Sequence, residues 1–311
     1  MKQYDVLAVG ELNLDLLITG LDRMPVPGQE IIAKGAALVL GSSTAICAAG
    51  TARLGLKTAM CSLAGADDFG IKAKGFLEEY DVDTRLIRFE PSLQTGLTVS
   101  LSDPNDRAMI THLGAISEMC AESVDRKEME KARHLHVGSF FLQKKIRPGL
   151  AKLFADAKGM GMTTSLDAGW DDTQNWDYGL WDVLKQTDIF FPNALEAMSI
   201  TKESTPESAA KKLAKVCRIA AVKCGSHGAI LSEKGQLLSA RAYAREHVLD
   251  TTGAGDSFNA GFIYGFLSGR DLQRCLEYGN ACAAISVTRI GGASACATVN
   301  EAEKVMREGS L

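Results

Sequence analysis

The stretch Asp250-Thr251-Thr252-Gly253-Ala254-Gly255-Asp256-Ser257-Phe258 decides how the rest of the chain is interpreted. Apolar residues follow at helical spacing, with Phe258, Phe262 and Phe266 four residues apart, so we expect a loop that leads into a helix N-terminus. Glycines allow backbone N–H groups to turn inward around an anion. The unpaired amides of a first helical turn and the positive end of the helix dipole favour negative charge at the same place. The stretch therefore predicts a phosphate-binding hollow.

Asp256 lies at the edge of this predicted hollow. An ionised carboxylate only accepts hydrogen bonds, so it would repel a bound phosphate unless it has a task of its own. Taking a proton from an attacking hydroxyl group is such a task. The structural alternative is a helix entry whose glycines allow tight packing and whose Asp256 is an ordinary first-turn acid.

Length and composition limit the classes of protein that need to be considered. A chain of 311 residues with 46% hydrophobic content can build one large α/β domain with a substantial core. The net charge is −4, and without a cluster of Lys and Arg a nucleic-acid partner is not expected. No apolar run approaches the roughly 18 residues of a membrane span, and the scattered cysteines lack metal-ligand spacing. We therefore expect no membrane association, a cytoplasmic location and reduced thiols.

The beginning of the chain contains a candidate pair of hydrogen-bonding side chains. Residues 6–9 form an apolar run, as in a strand buried on both faces, and Gly10 ends it. In residues 11–17 leucines alternate with polar residues, so Asn13 and Asp15 share one strand face. A carboxylate accepts two hydrogen bonds and an amide both donates and accepts, so this pair can grip two neighbouring hydroxyl groups. The alternative is a solvated strand face.

Two separated groups of short strands interrupt an otherwise alternating chain. The first group comprises residues 30–33 and 37–40. The second comprises residues 95–101 and 108–111, joined by a predicted turn at residues 103–106.

Strands and helices alternate again after residue 114. Apolar runs predict strands at residues 135–137, 163–166, 189–191, 219–222 and 229–231. This order predicts a doubly wound, mainly parallel sheet, whose ligands sit at the carboxyl ends of the strands. Polar residues directly after strands therefore become candidates for a binding site, and these are Asp167, Asn193 and Lys223.

Residues 250–261, Asp-Thr-Thr-Gly-Ala-Gly-Asp-Ser-Phe-Asn-Ala-Gly, resemble the C-terminal signature of the ribokinase-like (phosphofructokinase-B-type) carbohydrate kinases. The resemblance implies that Gly253, Ala254 and Gly255 form an anion hole and that Asp256 is the catalytic base.

The same resemblance extends over nearly the whole chain and implies its fold. A single domain, residues 1–311, would form three α/β/α layers around a doubly wound, mainly parallel sheet. Segments of about 12–40 and 95–112 would form a small β-sheet lid over the substrate. The exposed apolar face of such a lid often pairs with a second subunit in this family, so we expect a homodimer.

Residues 41–55 resemble the family's N-terminal signature with two departures. Ser42, which is also the predicted N-cap of a helix, replaces a glycine, and Ile46 stands where the family has a sugar-binding Asn. An apolar side chain cannot donate to a hydroxyl group, so the identity of the sugar is left open. The resemblance assigns the substrate to Asn13, Asp15, Gly41 and Ser42.

Further segments resemble the nucleotide-binding and metal-binding parts of the family. Asn193 and Glu196 have an Asn-x-x-Glu spacing that implies indirect Mg²⁺ binding, with a helix cap and a first-turn acid as the structural alternative. Asn280 lies among small residues that suit an adenine slot. It belongs to a helix predicted at residues 272–287, which we expect to be the final helix of the chain. The segment near the nucleotide phosphates contributes Lys223, which is either a phosphate ligand or a surface charge, with Gly225 and Gly228.

Together the resemblance implies a kinase that uses ATP and Mg²⁺ to phosphorylate a hydroxymethyl group of a sugar or sugar-like molecule. Asp250 and Thr252 would add a monovalent cation site, for K⁺. A nucleoside kinase is the alternative within the same fold, with Ile46, Phe140 and Phe141 as candidate walls of a base pocket. A sugar-sensing protein without catalytic activity is the alternative of another class.

Overall fold

The computed structural model describes residues 2–103, 107–245 and 247–310. The strands in chain order are β1 (Tyr4–Val9), β2 (Asn13–Thr19), β3 (Gly35–Leu40), β4 (Thr58–Gly65), β5 (Asp83–Glu90), β6 (Gly96–Ser102), β7 (Arg107–His112), β8 (Ala132–Val137), β9 (Thr163–Leu166), β10 (Ile189–Phe190), β11 (Ile219–Lys223), β12 (Ala229–Glu233) and β13 (Gln236–Ala240). The α-helices are α1 (Ser43–Arg53), α2 (Asp68–Glu78), α3 (Arg126–Met129), α4 (Arg147–Gly159), α5 (Leu180–Leu184), α6 (Ala194–Thr201), α7 (Pro206–Leu213), α8 (Ala254–Leu267), α9 (Leu272–Ser286) and α10 (Val299–Glu308).

The larger sheet has nine strands in the order β13-β12-β11-β10-β9-β8-β1-β4-β5. Neighbours from β5 to β11 are parallel, whereas β12 and β13 are antiparallel additions at one edge. Val6 and Leu7 are both fully buried but belong to hydrophobic cores on opposite faces, because helices cover both sides of the sheet. The predicted doubly wound, mainly parallel sheet in three layers is confirmed.

The strand order reverses at β1, which has β4 on one side and β8 on the other. Such a reversal opens a crevice at the carboxyl ends of the two strands, where ligands of this class of sheet bind. Gly10 follows β1 and Gly138 follows β8, and both lie against Thr44 at the start of α1. The crevice therefore receives the N-terminus of α1.

The smaller sheet has four strands in the order β3-β2-β6-β7. They come from residues 13–40 and 96–112, the two segments from which a lid was predicted. Alternation along β2 places Asn13 and Asp15 on one face of this sheet. Of the predicted turn at residues 103–106, positions 104–106 lie outside the described residues.

The strand predicted at residues 30–33 is wrong. Pairing of β3 with β2 begins at Gly35, opposite Thr19, after the Lys34 N–H donates to the Thr19 carbonyl. β2 ends at Thr19, so residues 30–33 have no strand to pair with, and the Ile32 side chain is 80% exposed. Hydrophobic content alone predicted a strand that has no partner.

Helix α8 packs between α1 and α9. A Cβ atom on Gly261 of α8 would lie 2.5 Å from the carbonyl oxygen of Tyr278 in α9, so the two helices meet backbone to backbone. The prediction that α9 is the final helix is wrong, because α10 follows it. That helix begins with a capping box, in which Thr298 and Glu301 each accept from the other's backbone N–H.

Within the described ranges, no helix is both long and apolar enough to cross a membrane. The cysteines are free thiols, most of them buried, as the sequence predicted. The cytoplasmic location stays a prediction.

Candidate active site

The glycine-containing loop ends where α8 begins. Gly253 has φ of 72°, in the left-handed region, and a Cβ atom there would lie 2.8 Å from the Gly292 Cα atom. Both facts favour glycine, which tolerates this conformation without strain. No side chain in the described part of the chain caps this helix end, and Ala254 and Gly255 form the first turn. The residues predicted as an anion hole therefore lie at an uncapped helix N-terminus, whose amides favour an anion.

Asp256, in the first turn of α8, lies next to the first turn of α1. The Ser43 hydroxyl donates to Asp256 Oδ1 at 2.5 Å. Burial raises the pKa of Asp256 to about 7, and repulsion from Asp167 adds to the effect, while Lys223 and the Ser43 hydrogen bond oppose it. A carboxyl group with this pKa is ionised in part at neutral pH and can accept a proton.

A buried ion pair lies behind Asp256. Lys223 Nζ is 2.6 Å from Asp167 Oδ2, and the side chains of this pair are only 14% and 6% exposed. Asn259 Nδ2 donates to the same Asp167 oxygen at 2.7 Å. Burial alone would lower the pKa of Lys223, but Asp167 and Glu196 raise it above its usual value. The alternative of Lys223 as a surface charge is therefore wrong.

A cavity of about 250 Å³ opens beside the uncapped end of α8. It is lined by all the predicted nucleotide-binding residues of the β11 segment and α9, together with part of the loop: Lys223, Gly225, Gly228, Asn280, Ala254 and Gly255. The Asn280 amide group donates to the carbonyl groups of Ala240 and Arg241, so it fixes the chain that forms one wall. Asn193 and Glu196 are not among the lining residues of this cavity.

Asn193 and Glu196 form a capping box at the start of α6. The Asn193 N–H donates to Glu196 Oε2 at 2.8 Å, and the Glu196 N–H donates to Asn193 Oδ1 at 2.9 Å. Burial raises the pKa of Glu196 to about 8, with repulsion from Asp167. Asn193 is also bridged to Lys223 through the backbone, which brings α6 to the same edge of the sheet. The structural alternative is thus realised, and the carboxylate faces the same charged cluster.

The residues predicted to bind the substrate lie in β2 and at the start of α1. Asn13 Nδ2 donates to Asp15 Oδ1 at 3.0 Å. A Cβ atom on Gly41 would lie 2.6 Å from Asn13 Nδ2, so this glycine lets the chain pass close to the pair. Ser42 has φ of 70°, and its hydroxyl donates to the Glu11 carbonyl at 2.5 Å and accepts from the Ala45 N–H at 3.0 Å. Its hydroxyl is engaged within the fold, as the N-cap prediction required.

The predicted base pocket is not formed. Phe140 and Phe141 are 0% and 4% exposed and lie in the hydrophobic core, where the Phe141 ring is 5.1 Å from Phe140 and 5.4 Å from Trp176. Ile46 is also buried, with its side chain against Gly253 and Gly292. Using Phe140 and Phe141 as pocket walls was wrong, because the turn after β8 directs both rings inward.

Asp250 connects two loops next to α8. Its Oδ1 accepts from the Thr252 N–H at 2.8 Å, and its Oδ2 accepts from the Gly291 N–H at 2.9 Å. Both oxygens of the predicted cation ligand therefore already stabilise the backbone, although each has further lone pairs.

Sequence reasoning missed three residues of this site. Glu11 is buried behind the start of α1, where its carboxylate accepts from the Thr44 N–H at 3.1 Å and the Thr44 hydroxyl at 2.6 Å. Ser43 follows the predicted N-cap Ser42, and in the sequence it cannot be told from one more capping hydroxyl. Asn259 follows Asp256 by three positions, so helical spacing would have placed both on one face.

Comparison with known proteins gives a consistent result. The family profile described as pfkB family carbohydrate kinase matches residues 4–299. An ATP-dependent ribose-1-phosphate kinase from Halopiger xanaduensis is 31% identical over 292 residues, which cover 93% of this chain and 94% of that protein. A 2-dehydro-3-deoxygluconokinase from Bacillus subtilis is 30% identical over 259 residues, 78% of this chain and 79% of that protein. The structure of an E. coli protein described as a ribokinase II, in complex with ATP and Mg²⁺, superposes with a TM-score of 0.87 at 26% identity and covers 98% of this chain and 99% of that one.

Proposed function

The chain belongs to the pfkB family of carbohydrate kinases, and from that premise we propose that it transfers the γ-phosphoryl group of ATP to a hydroxymethyl group of a sugar or sugar-like molecule. The ribokinase-like fold is confirmed by the superposition. The observation that carries the proposal is the place of Asp256, which is half-buried at an uncapped helix N-terminus and hydrogen-bonded to the N-terminus of a second helix.

Asp256 would accept the proton of the attacking hydroxyl group. A base works best when its pKa lies near the working pH, and the pKa of about 7 meets that requirement. Ser43 would hold the carboxylate in place through its hydrogen bond. The N–H groups of residues 253–255 would stabilise charge on the transferring phosphoryl group. Asn13 and Asp15 would fix the acceptor, and orientation of this kind can supply roughly 7–11 kcal/mol of the barrier.

ATP would occupy the cavity beside Lys223, Gly225, Gly228 and Asn280. Among the residues that the structure describes, no group of three or more His, Cys, Asp or Glu side chains could hold a metal ion. Mg²⁺ does not need such a group, because it is usually held by one or two carboxylates together with waters and substrate phosphates. Glu196 would act indirectly with Asn193, and the ion would neutralise phosphate charge.

A monovalent cation at Asp250 and Thr252 is part of the proposal. Its binding would have to coexist with the two backbone hydrogen bonds that Asp250 accepts. Turnover measured in K⁺, Na⁺ and a bulky organic cation at equal ionic strength tests it. Equal rates in all three would contradict a K⁺ site.

We also propose a homodimer formed through the smaller sheet. On the face opposite Asn13, Leu16 lies between Leu38 and Val99, and Val99 pairs with Ile110, which is 66% exposed. An exposed apolar face of this kind marks an interaction surface.

Sedimentation of two neighbouring variants tests this interface. Ile110→Asp should give monomers, because it introduces a charge on the apolar face. Met109→Asp, one residue away on the other face and 60% exposed, is the matched control. A monomeric wild-type protein would contradict the proposed dimer.

A panel of acceptors tests the proposed activity. Purified protein with ATP and Mg²⁺ is incubated with aldoses, ketoses, keto-deoxy sugar acids, sugar phosphates and nucleosides, and ADP is measured against an Asp256→Asn control. Phosphorus–proton NMR of the product identifies the hydroxyl group that reacts. ADP formation with nucleosides alone would favour the nucleoside kinase, and none with any acceptor would favour the sugar-sensing protein.

A further inference from the structure

We propose that Asp167, together with Asn259, is a positioning residue that holds the Lys223 ammonium group against the phosphate-binding loop and sets the electrostatic field around Asp256. The inference rests on the proposed function, in which Asp256 takes the proton of the acceptor.

The Asp167 carboxylate is held on several sides. Its Oδ2 accepts from Lys223 Nζ at 2.6 Å and from Asn259 Nδ2 at 2.7 Å, and its Oδ1 accepts from the Gly169 N–H at 3.0 Å. These partners come from β11, from α8 and from the turn after β9. Because fixed hydrogen bonds leave the carboxylate little freedom, its charge is presented to Lys223 in one place.

Lys223 connects this carboxylate to the nucleotide cavity. A Cβ atom on Gly255 would lie 3.3 Å from Lys223 Nζ, so the ammonium group packs against the loop predicted to bind phosphate. An ammonium group has three N–H donors. Within the described residues, Asp167 takes one and Asn259 Oδ1, at 3.4 Å, takes a second. The third donor is left for an anion in the cavity that Lys223 lines.

The groups that face Asp256 come from several elements, and its titration depends on all of them. The charged and titratable neighbours are Glu11, Cys47, Asp167, Glu196, Lys223 and Cys296. After burial, the largest influences are Asp167, which raises the pKa of Asp256, and Lys223, which lowers it. The two members of one ion pair therefore act on the base in opposite directions.

This opposition gives a test that a purely structural role would not satisfy. Asp167→Asn removes a negative neighbour and leaves the Lys223 charge uncompensated, so Asp256 should ionise at lower pH. Lys223→Met removes the positive neighbour and keeps the stem, so Asp256 should ionise at higher pH. Each shift should be about one pH unit, the lower end of what a neighbouring charge produces.

The shifts are measured by NMR on substrate-free protein labelled with ¹³C at the aspartate carboxyl groups. The Asp256 signal is identified by its loss in Asp256→Asn. Shifts of opposite sign in the two variants support the proposal, and shifts of the same sign, or none, overturn it. Because no acceptor is present, the result is independent of whether the proposed kinase activity is found.

A remote aspartate provides the matched control. Asp188 is also buried, accepts from the Thr164 N–H and lies 3.6 Å from Lys158, but it precedes β10 at the opposite end of the strands. Asp188→Asn should leave the titration of Asp256 unchanged. A shift there as large as that in Asp167→Asn would mean that the effect is general loosening of the fold.

If either single variant fails to fold, a double variant takes its place in the test. Asp167→Asn with Lys223→Met removes both charges and avoids an unpaired buried ion, which is costly. Its Asp256 should titrate close to the wild-type value, because the two opposing influences are removed together, and a displacement of about one pH unit or more would overturn the proposal. Where turnover is found, affinity for a non-hydrolysable ATP analogue should fall at least severalfold in Asp167→Asn, because the ammonium group loses its fixed position, and unchanged affinity would overturn that part.

Discussion

Two helix N-termini meet at Asp256, and they differ in how their first amides are satisfied. At the start of α1, the Ser42 hydroxyl accepts from the Ala45 N–H and the buried Glu11 carboxylate accepts from the Thr44 N–H. At the start of α8, no described side chain caps the helix. The first N–H groups of α1 are therefore satisfied by side chains of the fold. Those of α8 have no side-chain partner among the described residues and would be available to the proposed phosphate. Of these two described helix ends, the one that lacks a side-chain cap and lies beside a cavity is therefore the stronger indication of an anion-binding site.

The largest expected effect comes from removing the proposed base, Asp256, at the uncapped N-terminus of α8. Asp256→Asn should lower kcat by about 100- to 10,000-fold, the usual contribution of a general base. Binding of an ATP analogue, measured by calorimetry, should stay nearly unchanged, because the amide keeps the size of the side chain. Wild-type turnover in this variant would contradict the base assignment.

The next largest effect comes from closing the hollow itself. Gly253→Ala should lower kcat by about 100- to 1000-fold, as loss of an oxyanion donor does, because the side chain would meet Gly292 and displace the loop. Gly269→Ala is the matched control, since Gly269 also has φ of 72° but has nothing within 4 Å of a Cβ atom. Both variants should lose roughly 1–2 kcal/mol of stability from left-handed strain, and only Gly253→Ala should lose turnover.

The charge at the open end should also appear in the pH dependence of stability. The pKa of Asp256 is raised to about 7 in the folded state, so its folded form binds a proton more tightly than the unfolded chain. Its contribution to stability is therefore fully present below about pH 4 and is lost as the pH rises through 7.

Urea denaturation of wild type and Asp256→Asn tests this direction. The variant should be more stable at pH 8 by up to a few kcal/mol, since one unit of pKa corresponds to about 1.4 kcal/mol, and the difference should vanish near pH 4. Greater wild-type stability at pH 8 would contradict it.

The smallest effect concerns the capped end. Ser42→Ala removes the cap while keeping the left-handed backbone, and should cost about 1 kcal/mol. Ser42→Gly also removes the cap but tolerates φ of 70° without strain, so its stability should be close to that of wild type. Thermal denaturation of the two variants separates the loss of the cap from the strain of the left-handed backbone. Equal losses in both variants would show that left-handed strain at this position is negligible.

The sequence predicted the open end better than the capped end. Glycines before an apolar helical pattern are local signals, so the loop, α8 and the place of Asp256 followed from a few neighbouring residues. Asp167 and Lys223 were both identified as polar residues that follow strands, but their ion pair was not predicted, because it spans 56 positions and depends on how the sheet is packed. The strand at residues 30–33 was predicted wrongly because a strand needs a partner, which local hydrophobicity does not reveal. Phe140 and Phe141 were misplaced because a turn fixed by tertiary contacts decides where they point.

The close backbone contact of α8 with α9 at Gly261 has a mechanical consequence. A helix held against its neighbour without intervening side chains has no room to slide or roll. The position of α8 is therefore fixed relative to α9, which contributes Asn280 to the cavity beside the N-terminus of α8. A larger residue at position 261 would push the two helices apart and so distort that cavity, which makes Gly261 a position to leave unchanged in any redesign of the site.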